Sequence, residues 1–453
     1  MLRAIVAIII VVGLLILVAL QIEDTSMPLF SEIGKLEVDG NAEIVQATPD
    51  GNLLVYTNSR RKSLDVVGLE DPSSPSLLAS VELPGEPTSV AISPKGDWAL
   101  AAVVVADARD GKAPPDQRLP GVLALVDIRE PGAAAVTATI GIGHQPDSIA
   151  VSSSGYELLA ILAIENEPVI VKDGQVTKNK SPGNESDISF PGAVQIVAVN
   201  PDSPGNWSVA TIDLPASLLR DAQMLYSEDP QPEYVALSPG KHLAAVSLQE
   251  NNGIVTIDPV ANEVVSAFSL GRVNDRAADL SADDDIDFGA SYPTDAEGQA
   301  LAGTRFPDAL AFSPDGQYIL SADEGEMPLT GGRGFSIWTL DGTWAWDDGG
   351  EIEQRAAGLG LYPDERSDIK GIEIEGITAG RVRMQDYAFA VSERGSFLAI
   401  YDITHPPAPE FVQILPTGDG PESVIVIPNR ELVVVAAEDS GSLHIYQLDS
   451  DGS

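Results

Sequence analysis

Residues 306–316 read FPDALAFSPDG, and this stretch identifies the repeating unit of the chain. A proline and an acidic residue open a mainly apolar segment, as expected of a buried β-strand, and the following Ser-Pro-Asp-Gly favours a tight turn. Four more copies are clear and two are weaker: residues 86–96, 145–151, 231–240 and 420–428, and residues 42–51 and 369–374. The chain therefore contains seven copies of one unit.

Three further strand-like segments follow most copies before the next one begins. Four short strands in a unit of about 45 residues are typical of a propeller blade, so we predict an all-β, seven-bladed β-propeller. The last unit has only three strands, whereas residues 34–38 form a spare strand before the first copy. This N-terminal strand is predicted to complete the last blade and remove two exposed edges. A coiled solenoid and two packed sandwiches, the alternatives, fit this arrangement less well.

The N-terminus carries an apolar segment from residue 4 to residue 20, preceded by Arg3 and followed by Glu23 and Asp24. We predict an uncleaved transmembrane signal-anchor over residues 1–22, oriented by the positive-inside bias. A cleaved secretory signal is the alternative, and both place the rest of the chain across the membrane. We therefore expect an inner-membrane protein that faces the periplasm or the extracellular side. The predicted order continues with a linker (23–33), the propeller (34–448) and a tail (449–453).

The net charge of the chain is -42, which excludes a nucleic-acid partner because a phosphate backbone requires a cationic surface. There is no cysteine, so disulfides, thiolate nucleophiles and Cys-ligated metals are excluded. The four histidines are dispersed, and the sequence contains no nucleophile-elbow, Walker, dinucleotide or zincin motif. Enzymatic activity is therefore undecided from motifs.

Long insertions are expected on one face of the propeller, because the connections from strand two to strand three and from strand four to the next blade share that face. We name it the top face. The insertions are residues 107–120, 165–191, 215–231, 271–306 and 358–368, and one loop, residues 341–350, is expected on the opposite face. A short helix is predicted over residues 218–227. Long loops on one face of a rigid scaffold usually form a binding surface.

Acidic residues recur at two positions of the repeat, and both are expected to surround the mouth of the central channel. The residues that follow the strand-one proline are Asp147, Glu233, Asp308 and Glu422, with Glu43 and Glu373 as looser equivalents. The residues at the end of strand two are Glu165, Glu250, Glu324, Glu393 and Glu438. Converging carboxylates repel one another unless they are protonated, paired or bridged by a cation. Local capping of each blade's own turn is the alternative.

These residues give the candidate sites. The metal candidates, for Ca²⁺, are Asp147, Glu233, Asp308, Glu422, Glu165, Glu250, Glu324 and Glu438. The ligand-binding candidates are Asn166, Asn251, Asn252 and Arg394. The catalytic residues are unknown, with Glu250, Arg394 and Glu393 as candidates.

Several segments carry a resemblance to a known family. Residues 247–258 (SLQENNGIVTID), 306–309 with 321–325, and 387–394 (YAFAVSER) resemble the choice-of-anchor I propeller family, and the match continues through residues 400–404 and 420–423. The resemblance implies an exported, surface or periplasmic bacterial protein, and some members are labelled alkaline phosphatase-like or esterase-like. The family tends to read ANEGD where this chain has ADEGE at residues 322–326. The repeat also resembles the YVTN-type propellers.

Three functions are consistent with the predicted fold, the candidate sites and the family resemblance. The first is a membrane-tethered binding or scaffold module that uses its top face for a ligand or protein partner and holds a structural divalent cation. The second is a calcium-dependent phosphoester hydrolase, similar to alkaline phosphatases or phytases, in which Arg394 steadies the phosphate. The third is an accessory subunit of a membrane protein complex.

Overall fold

The computed structural model describes residues 29–105, 119–155, 157–165, 169–172, 175–178, 192–240, 242–273, 276–292, 302–325 and 331–449. Within these residues, seven four-stranded antiparallel sheets form the blades of a β-propeller. The predicted anchor, residues 1–22, lies outside them. No helix of the described part is long and apolar enough to cross a membrane.

The chain enters the propeller with β1 (Phe30–Glu37) and then forms the blades in order. Blade 1 contains β2 (Val45–Ala47), β3 (Leu53–Asn58), β4 (Ser63–Gly68) and β5 (Ser76–Glu82). Blade 2 contains β6 (Glu86–Ile92), β7 (Trp98–Val104), β8 (Val122–Asp127) and β9 (Ala135–Gly141). Blade 3 contains β10 (Pro146–Ser154), β11 (Glu157–Ile164), β14 (Ala193–Val199) and β15 (Ser208–Asp213), with the hairpin β12 (Val169–Lys172) and β13 (Gln175–Lys178) inserted between β11 and β14.

The remaining blades follow the same plan. Blade 4 contains β16 (Pro232–Leu237), β17 (Ala244–Leu248), β18 (Gly253–Asp258) and β19 (Glu263–Ser269), and the pair β20 (Ala277–Ala278) and β21 (Ala290–Ser291) follows it. Blade 5 contains β22 (Leu310–Phe312), β23 (Tyr318–Asp323), β24 (Gly334–Thr339) and β25 (Trp344–Asp347). Blade 6 contains β26 (Ile374–Val382), β27 (Gln385–Ser392), β28 (Phe397–Asp402) and β29 (Glu410–Pro416). Blade 7 contains β30 (Pro421–Ile427), β31 (Leu432–Ala437) and β32 (Ser442–Leu448).

The predicted closure of the ring is confirmed, because β1 pairs antiparallel with β32 and is the outer strand of blade 7. The register runs from Phe30 opposite Leu448 to Glu37 opposite Ser442, so the strand begins earlier than the predicted residue 34. Phe30 is buried and packs edge-on against Tyr387 and Phe389 of blade 6, with ring centroids 5.4 Å apart in both pairs. The closing strand therefore contacts two blades.

Seven apolar layers, one between each pair of neighbouring blades, form the core of the described propeller. Successive residues of a strand point to opposite faces of its sheet, so each strand serves two layers. In β3, for example, Leu54 and Tyr56 pack against blade 7, whereas Val55 packs against blade 2. This two-sided burial explains why the strands read as continuous apolar runs.

The turn of the repeat has a specific local geometry. In blade 5 the Ser313 hydroxyl donates to Asp315 over 2.6 Å, and the Gly316 amide donates to the Ser313 carbonyl over 2.8 Å. Gly316 has a φ of 70°, a left-handed conformation that favours glycine. The Ser-Pro-Asp-Gly motif therefore encodes the link between strands one and two.

Two short helices belong to the top-face insertions: α1 (Ala216–Asp221) and α2 (Glu351–Leu359). The N-terminus of α2 carries Glu351 and Glu353, as the helix dipole favours, and its C-terminus ends at Gly360, whose φ is 72°. Short 3₁₀ turns occur at Pro131–Ala133, Pro204–Asn206, Asp364–Arg366 and Pro428–Arg430.

One local prediction holds with different bounds, and two are wrong. The helix predicted over residues 218–227 is α1, which begins at Ala216 and ends at Asp221. The loop predicted over residues 341–350 contains β25, the fourth strand of blade 5. The weak repeat copy at residues 369–374 precedes the true strand one of its blade, β26, which begins at Ile374. In each case a short polar or glycine-rich segment concealed the boundary of the element.

We expect Phe30→Ala to destabilise the propeller, because it removes a buried aromatic side chain that joins blades 6 and 7. Loss of a buried Phe costs about 3–5 kcal/mol. Chemical denaturation followed by tryptophan fluorescence measures the change, with Leu77→Ala as the matched control because Leu77 is 53% exposed. Equal stability of the two variants would contradict the role of β1 in closing the ring.

Candidate functional site

Seven equivalent positions, one from each blade, line a cavity of about 260 Å³ at the channel mouth. They are Glu43, Thr88, Asp147, Glu233, Asp308, Glu375 and Glu422. Six of the seven carry a carboxyl group, and blade 2 supplies the threonine. The structure thus brings together Asp147, Glu233, Asp308 and Glu422, as the sequence predicted. We name the seven residues the axial ring.

Irregularities in the pairing of strands one and two place these side chains at the mouth. The register shifts between Pro146 and Ile149 in blade 3, between Ile374 and Gly376 in blade 6, and between Pro421 and Ser423 in blade 7. An extra residue in a strand bends it and redirects a side chain, and such bulges are frequent near functional sites. The axial-ring residues of these blades lie within the bulges.

Hydrogen bonds between neighbouring blades fix the backbone immediately below the ring. The Ser423 hydroxyl donates to the Glu43 carbonyl over 2.7 Å and accepts from the Val45 amide over 3.0 Å. The Ser148 hydroxyl accepts from the Val235 amide over 3.1 Å in the same manner. The inner strands are therefore tied together where the carboxyl groups meet.

The position of blade 6 in the ring was assigned wrongly from the sequence. Glu375, not Glu373, lines the cavity, because the repeat in this blade begins at Ile374. The repeat pattern is present in Ile374-Glu375-Gly376-Ile377, which has the same spacing as Pro421-Glu422-Ser423-Val424. The absence of a proline at Ile374 concealed it. Thr88 was not singled out either.

Glu373 instead forms the centre of a cluster of basic side chains. Its carboxylate pairs with Arg366, with Lys370 at 3.7 Å and with Arg394 at 3.5 Å. Lys370 also pairs with Glu324, and Arg394 lies 2.9 Å from Glu393. These cations partly neutralise the strand-two carboxylates of blades 5 and 6.

In blades 7 and 1 the carboxyl groups share hydrogen bonds. The Asn41 amide donates to Glu43 over 2.8 Å and to Glu438 over 2.9 Å. Glu438 also lines the cavity and is hydrogen-bonded to Glu422. Although burial opposes it, these hydrogen bonds hold the pKa of Glu438 below its usual value.

The pKa values of four ring residues, Glu233, Asp308, Glu375 and Glu422, are raised well above the usual range. Burial is the largest cause in each case, and repulsion by neighbouring carboxylates adds to it. Burial and the charge of Glu373 also raise the pKa of Glu393 to about 7, although Arg394 opposes the shift. Ionisation of these carboxyl groups is therefore unfavourable without a compensating positive charge.

Two ring oxygens are left without a hydrogen bond in the described structure. The Oε2 atoms of Glu233 and Glu375 are shielded from solvent, and the described residues offer neither a donor. Below the ring, the channel is a cavity of about 520 Å³ with largely aliphatic walls, including Ile149, Leu237 and Val426. Desolvation of a carboxylate without a partner is costly, which makes these two oxygens candidates for an exogenous positive group.

The described side chains do not form a ready-made metal centre. Among them, no group of three or more Asp, Glu or His residues is arranged to hold an ion directly. The ion assigned to Asp147, Glu233, Asp308, Glu422, Glu165, Glu250, Glu324 and Glu438 therefore stays a prediction.

The predicted ligand-binding asparagines hold loops. Asn251 accepts from the Gln231 amide over 2.9 Å and donates to the Asp229 carbonyl over 2.9 Å. Asn252 donates to the Gly271 carbonyl over 3.1 Å. Their contact with a ligand stays a prediction, and Asn166 lies outside the described residues.

We expect the melting temperature to fall as the pH rises from about 4.5 to about 7.5. A carboxyl group with a raised folded-state pKa stabilises the fold fully below its unfolded pKa of about 4, and this stability is lost as the pH rises through the folded value. Glu393, at about 7, titrates within this window. Differential scanning calorimetry measures the effect.

The variant with Glu233→Gln and Glu375→Gln should show a smaller decrease, because an amide does not ionise. A wild-type melting temperature that stays constant or rises over this window would contradict the raised pKa values.

Comparison with known proteins gives a family and a fold. The family model described as the choice-of-anchor I domain matches residues 43–328 and 326–406. No curated protein matches the chain.

Solved propellers resemble the structure at low sequence identity. The Myceliophteria thermophila Cps50 (Swd1) β-propeller domain is 10% identical, with a TM-score of 0.56 over 93% of this chain and 100% of the other. Kuenenia stuttgartiensis hydrazine synthase is 14% identical, with a TM-score of 0.54 over 91% and 98% of the two chains. The RRP9 WD40 repeats are 9% identical, with a TM-score of 0.56 over 93% and 100%. At these identities the likeness shows the fold alone.

Proposed function

Since the chain belongs to the choice-of-anchor I domain family, we propose that it is a membrane-tethered, extracytoplasmic binding module whose axial ring holds a divalent cation, Ca²⁺. The observation that carries the proposal is the convergence of six carboxyl groups on one cavity. The ligand or protein partner would bind on the top face, around this ion.

The location is supported by two features of different kinds. The family indicates a surface or extracellular protein, and a propeller of this family fits a binding or scaffold module. The apolar segment at residues 4–20 has the length and flanking charges expected of an N-terminal anchor. The absence of cysteine neither requires nor opposes an oxidising compartment.

The charge of the ring supports a cation. Four of its carboxyl groups have raised pKa values because burial and mutual repulsion disfavour their ionised forms. A divalent ion would reverse both effects and give the Oε2 atoms of Glu233 and Glu375 a partner. Ca²⁺ suits the ring because it takes six to eight oxygen ligands in irregular geometry.

The dimensions of the cavity favour an ion that keeps part of its water shell. Because no three carboxylates of the described residues are placed as direct ligands, bridging waters would complete the coordination. A water molecule takes about 30 Å³ in the liquid, so 260 Å³ accommodates an ion with several waters. Glu233, Asp308 and Glu375 are the residues that we expect to face it.

Isothermal titration calorimetry with CaCl₂ in 150 mM NaCl tests the ion. We expect a dissociation constant of roughly 0.1–1 mM, as in extracellular calcium modules. Glu233→Gln and Glu375→Gln should each weaken binding by roughly tenfold. The matched control is Glu263→Gln, because Glu263 is an exposed carboxylate on β19.

Absence of saturable calcium binding, or equal weakening in all three variants, would overturn the site. The second result would mean that calcium only screens the net charge of the surface.

A phosphoester hydrolase is the second candidate, and the pair formed by Glu393 and Arg394 favours it. A carboxyl group with a pKa of about 7 suits general acid–base chemistry at neutral pH. Arg394 is 39% exposed and could reach a phosphate oxygen, although it now pairs with Glu393 and Glu373.

Hydrolysis of p-nitrophenyl phosphate with and without calcium separates the two functions. The binding module predicts no turnover above background. Turnover that Arg394→Ala abolishes and Arg129→Ala preserves would support the hydrolase, because Arg129 is an exposed arginine that pairs with Asp127, away from the mouth.

A further inference from the structure

A third cavity, of about 590 Å³, lies at the junction of blades 4 and 5 and shares no lining residue with the axial ring. Its walls include Arg272, Arg276 and Arg305, together with Trp338, Trp344 and Asp347. We name it the arginine pocket. Three arginines around one cavity are unexpected in a chain with 68 acidic and only 26 basic residues.

All three arginines lie in the insertion between blades 4 and 5. Arg272 follows β19, Arg276 precedes β20 and Arg305 precedes β22. An isolated bridge pairs Arg272 with Thr304, which holds the two ends of the insertion together. The fold therefore brings the guanidinium groups together from distant positions in the sequence.

Arg276 is the main evidence for a binding site, because its side chain is only 4% exposed and still lines the cavity. Its Nη2 atom lies 2.9 Å from Asp347 and 3.6 Å from Asp348, but neither Nη1 nor Nη2 makes a hydrogen bond with the described residues. A buried donor without a hydrogen-bond acceptor is unfavourable. The guanidinium therefore has hydrogen-bonding capacity available to a ligand.

Arg305 has a different, fixed role. It donates to Asp347 over 2.6 Å and to the Leu270 carbonyl over 3.1 Å, and its guanidinium lies 5.5 Å from the centre of the Trp338 ring. It thereby positions Asp347 and the floor of the pocket. Arg272 donates to the Ala302 carbonyl, while its Nε atom has no acceptor among the described residues.

The charges that face the pocket are unbalanced. Asp347 is the lining carboxylate, and the nearby arginines keep its pKa below the usual value although burial opposes this. Asp323 and Asp348 lie behind the arginines, and burial raises the pKa of both, that of Asp348 to about 7. Among the described lining residues, three guanidinium groups thus accompany one carboxylate.

The competing explanation is that the three arginines only stabilise the fold. Another buried arginine of the molecule has such a structural role and serves for comparison. Arg333, which is fully buried, donates to the Asp279 carbonyl over 2.7 Å and to the Ser367 carbonyl over 2.6 Å. Arg333 therefore holds two insertions together. It is not among the described lining residues of the two channel cavities or of the arginine pocket. Arg276 differs in lining a cavity, with neither Nη atom in a hydrogen bond to the described residues.

We propose that the arginine pocket binds a small organic oxyanion, with Arg276 and Arg272 donating to its carboxylate or phosphoryl oxygens and Trp344 packing against its ring. Guanidinium groups match the geometry of both oxyanions. Trp344 is 55% exposed, whereas Trp338 is buried, so the ring of Trp344 is the aromatic surface that a ligand can contact. The site goes beyond the axial ring, because it recognises an anion and needs no metal.

Titration calorimetry with three probes tests the pocket: D-glucuronate, glucose 1-phosphate and neutral D-glucose. We expect one or both anions to bind and glucose not to bind, and the stronger anion identifies the oxyanion. Arg272→Gln should weaken binding by about tenfold, which corresponds to the loss of one charged hydrogen bond, and Trp344→Ala by about tenfold through the loss of aromatic packing. Both side chains are partly exposed, so these variants should fold.

Arg129→Gln is the control, because Arg129 is an exposed arginine on blade 2 that stacks on Trp98. It should bind as the wild type does. Failure of both anions to bind at millimolar concentration, or binding that Arg272→Gln and Trp344→Ala leave unchanged, would overturn the proposal. All titrations are run without calcium, so their outcome is independent of the axial ring.

Discussion

The pairing of β1 with β32 is the interaction on which the rest of the structure depends. Each blade packs only against its two neighbours, so an unclosed ring would expose the apolar faces of its first and last sheets. The N-terminal strand joins the two ends and carries Phe30 into the layer between blades 6 and 7. Closure also fixes the distance of every inner strand from the axis, and with it the positions of all side chains at the channel mouth.

The concentration of carboxyl groups at the mouth follows from that closure. One acidic position in a repeat is unremarkable in a single blade, but radial repetition collects six around one opening. Burial then makes their ionised forms costly. Lys370, Arg394 and Asn41 pair with carboxylates next to the ring and compensate part of the charge. The Oε2 atoms of Glu233 and Glu375 have no hydrogen-bond partner among the described residues.

The insertions around blade 5 create a second, opposite electrostatic environment. Arg333, in the connection between β23 and β24, lies 3.7 Å from Glu353 of α2 and donates to the Asp279 carbonyl in the insertion that follows blade 4. Removal of one partner from such a pair would leave an uncompensated buried charge. A chain with a strongly acidic surface can therefore still present an arginine-lined pocket, because a local scaffold holds the guanidinium groups at one place.

The sequence by itself determined the number of blades, the closing strand and the ring positions of Asp147, Glu233, Asp308 and Glu422, because a repeated motif must occupy equivalent places in a repeated fold. The sequence assigned Glu373 instead of Glu375 to the ring position of blade 6, because Ile374 replaces the proline that marked the other copies. Only the tertiary structure decided that Asn251 holds loops, that Glu373 pairs with Arg366 and that three arginines share a pocket. These contacts lie in non-repeated segments, and local patterning carries no information about how such loops pack against one another.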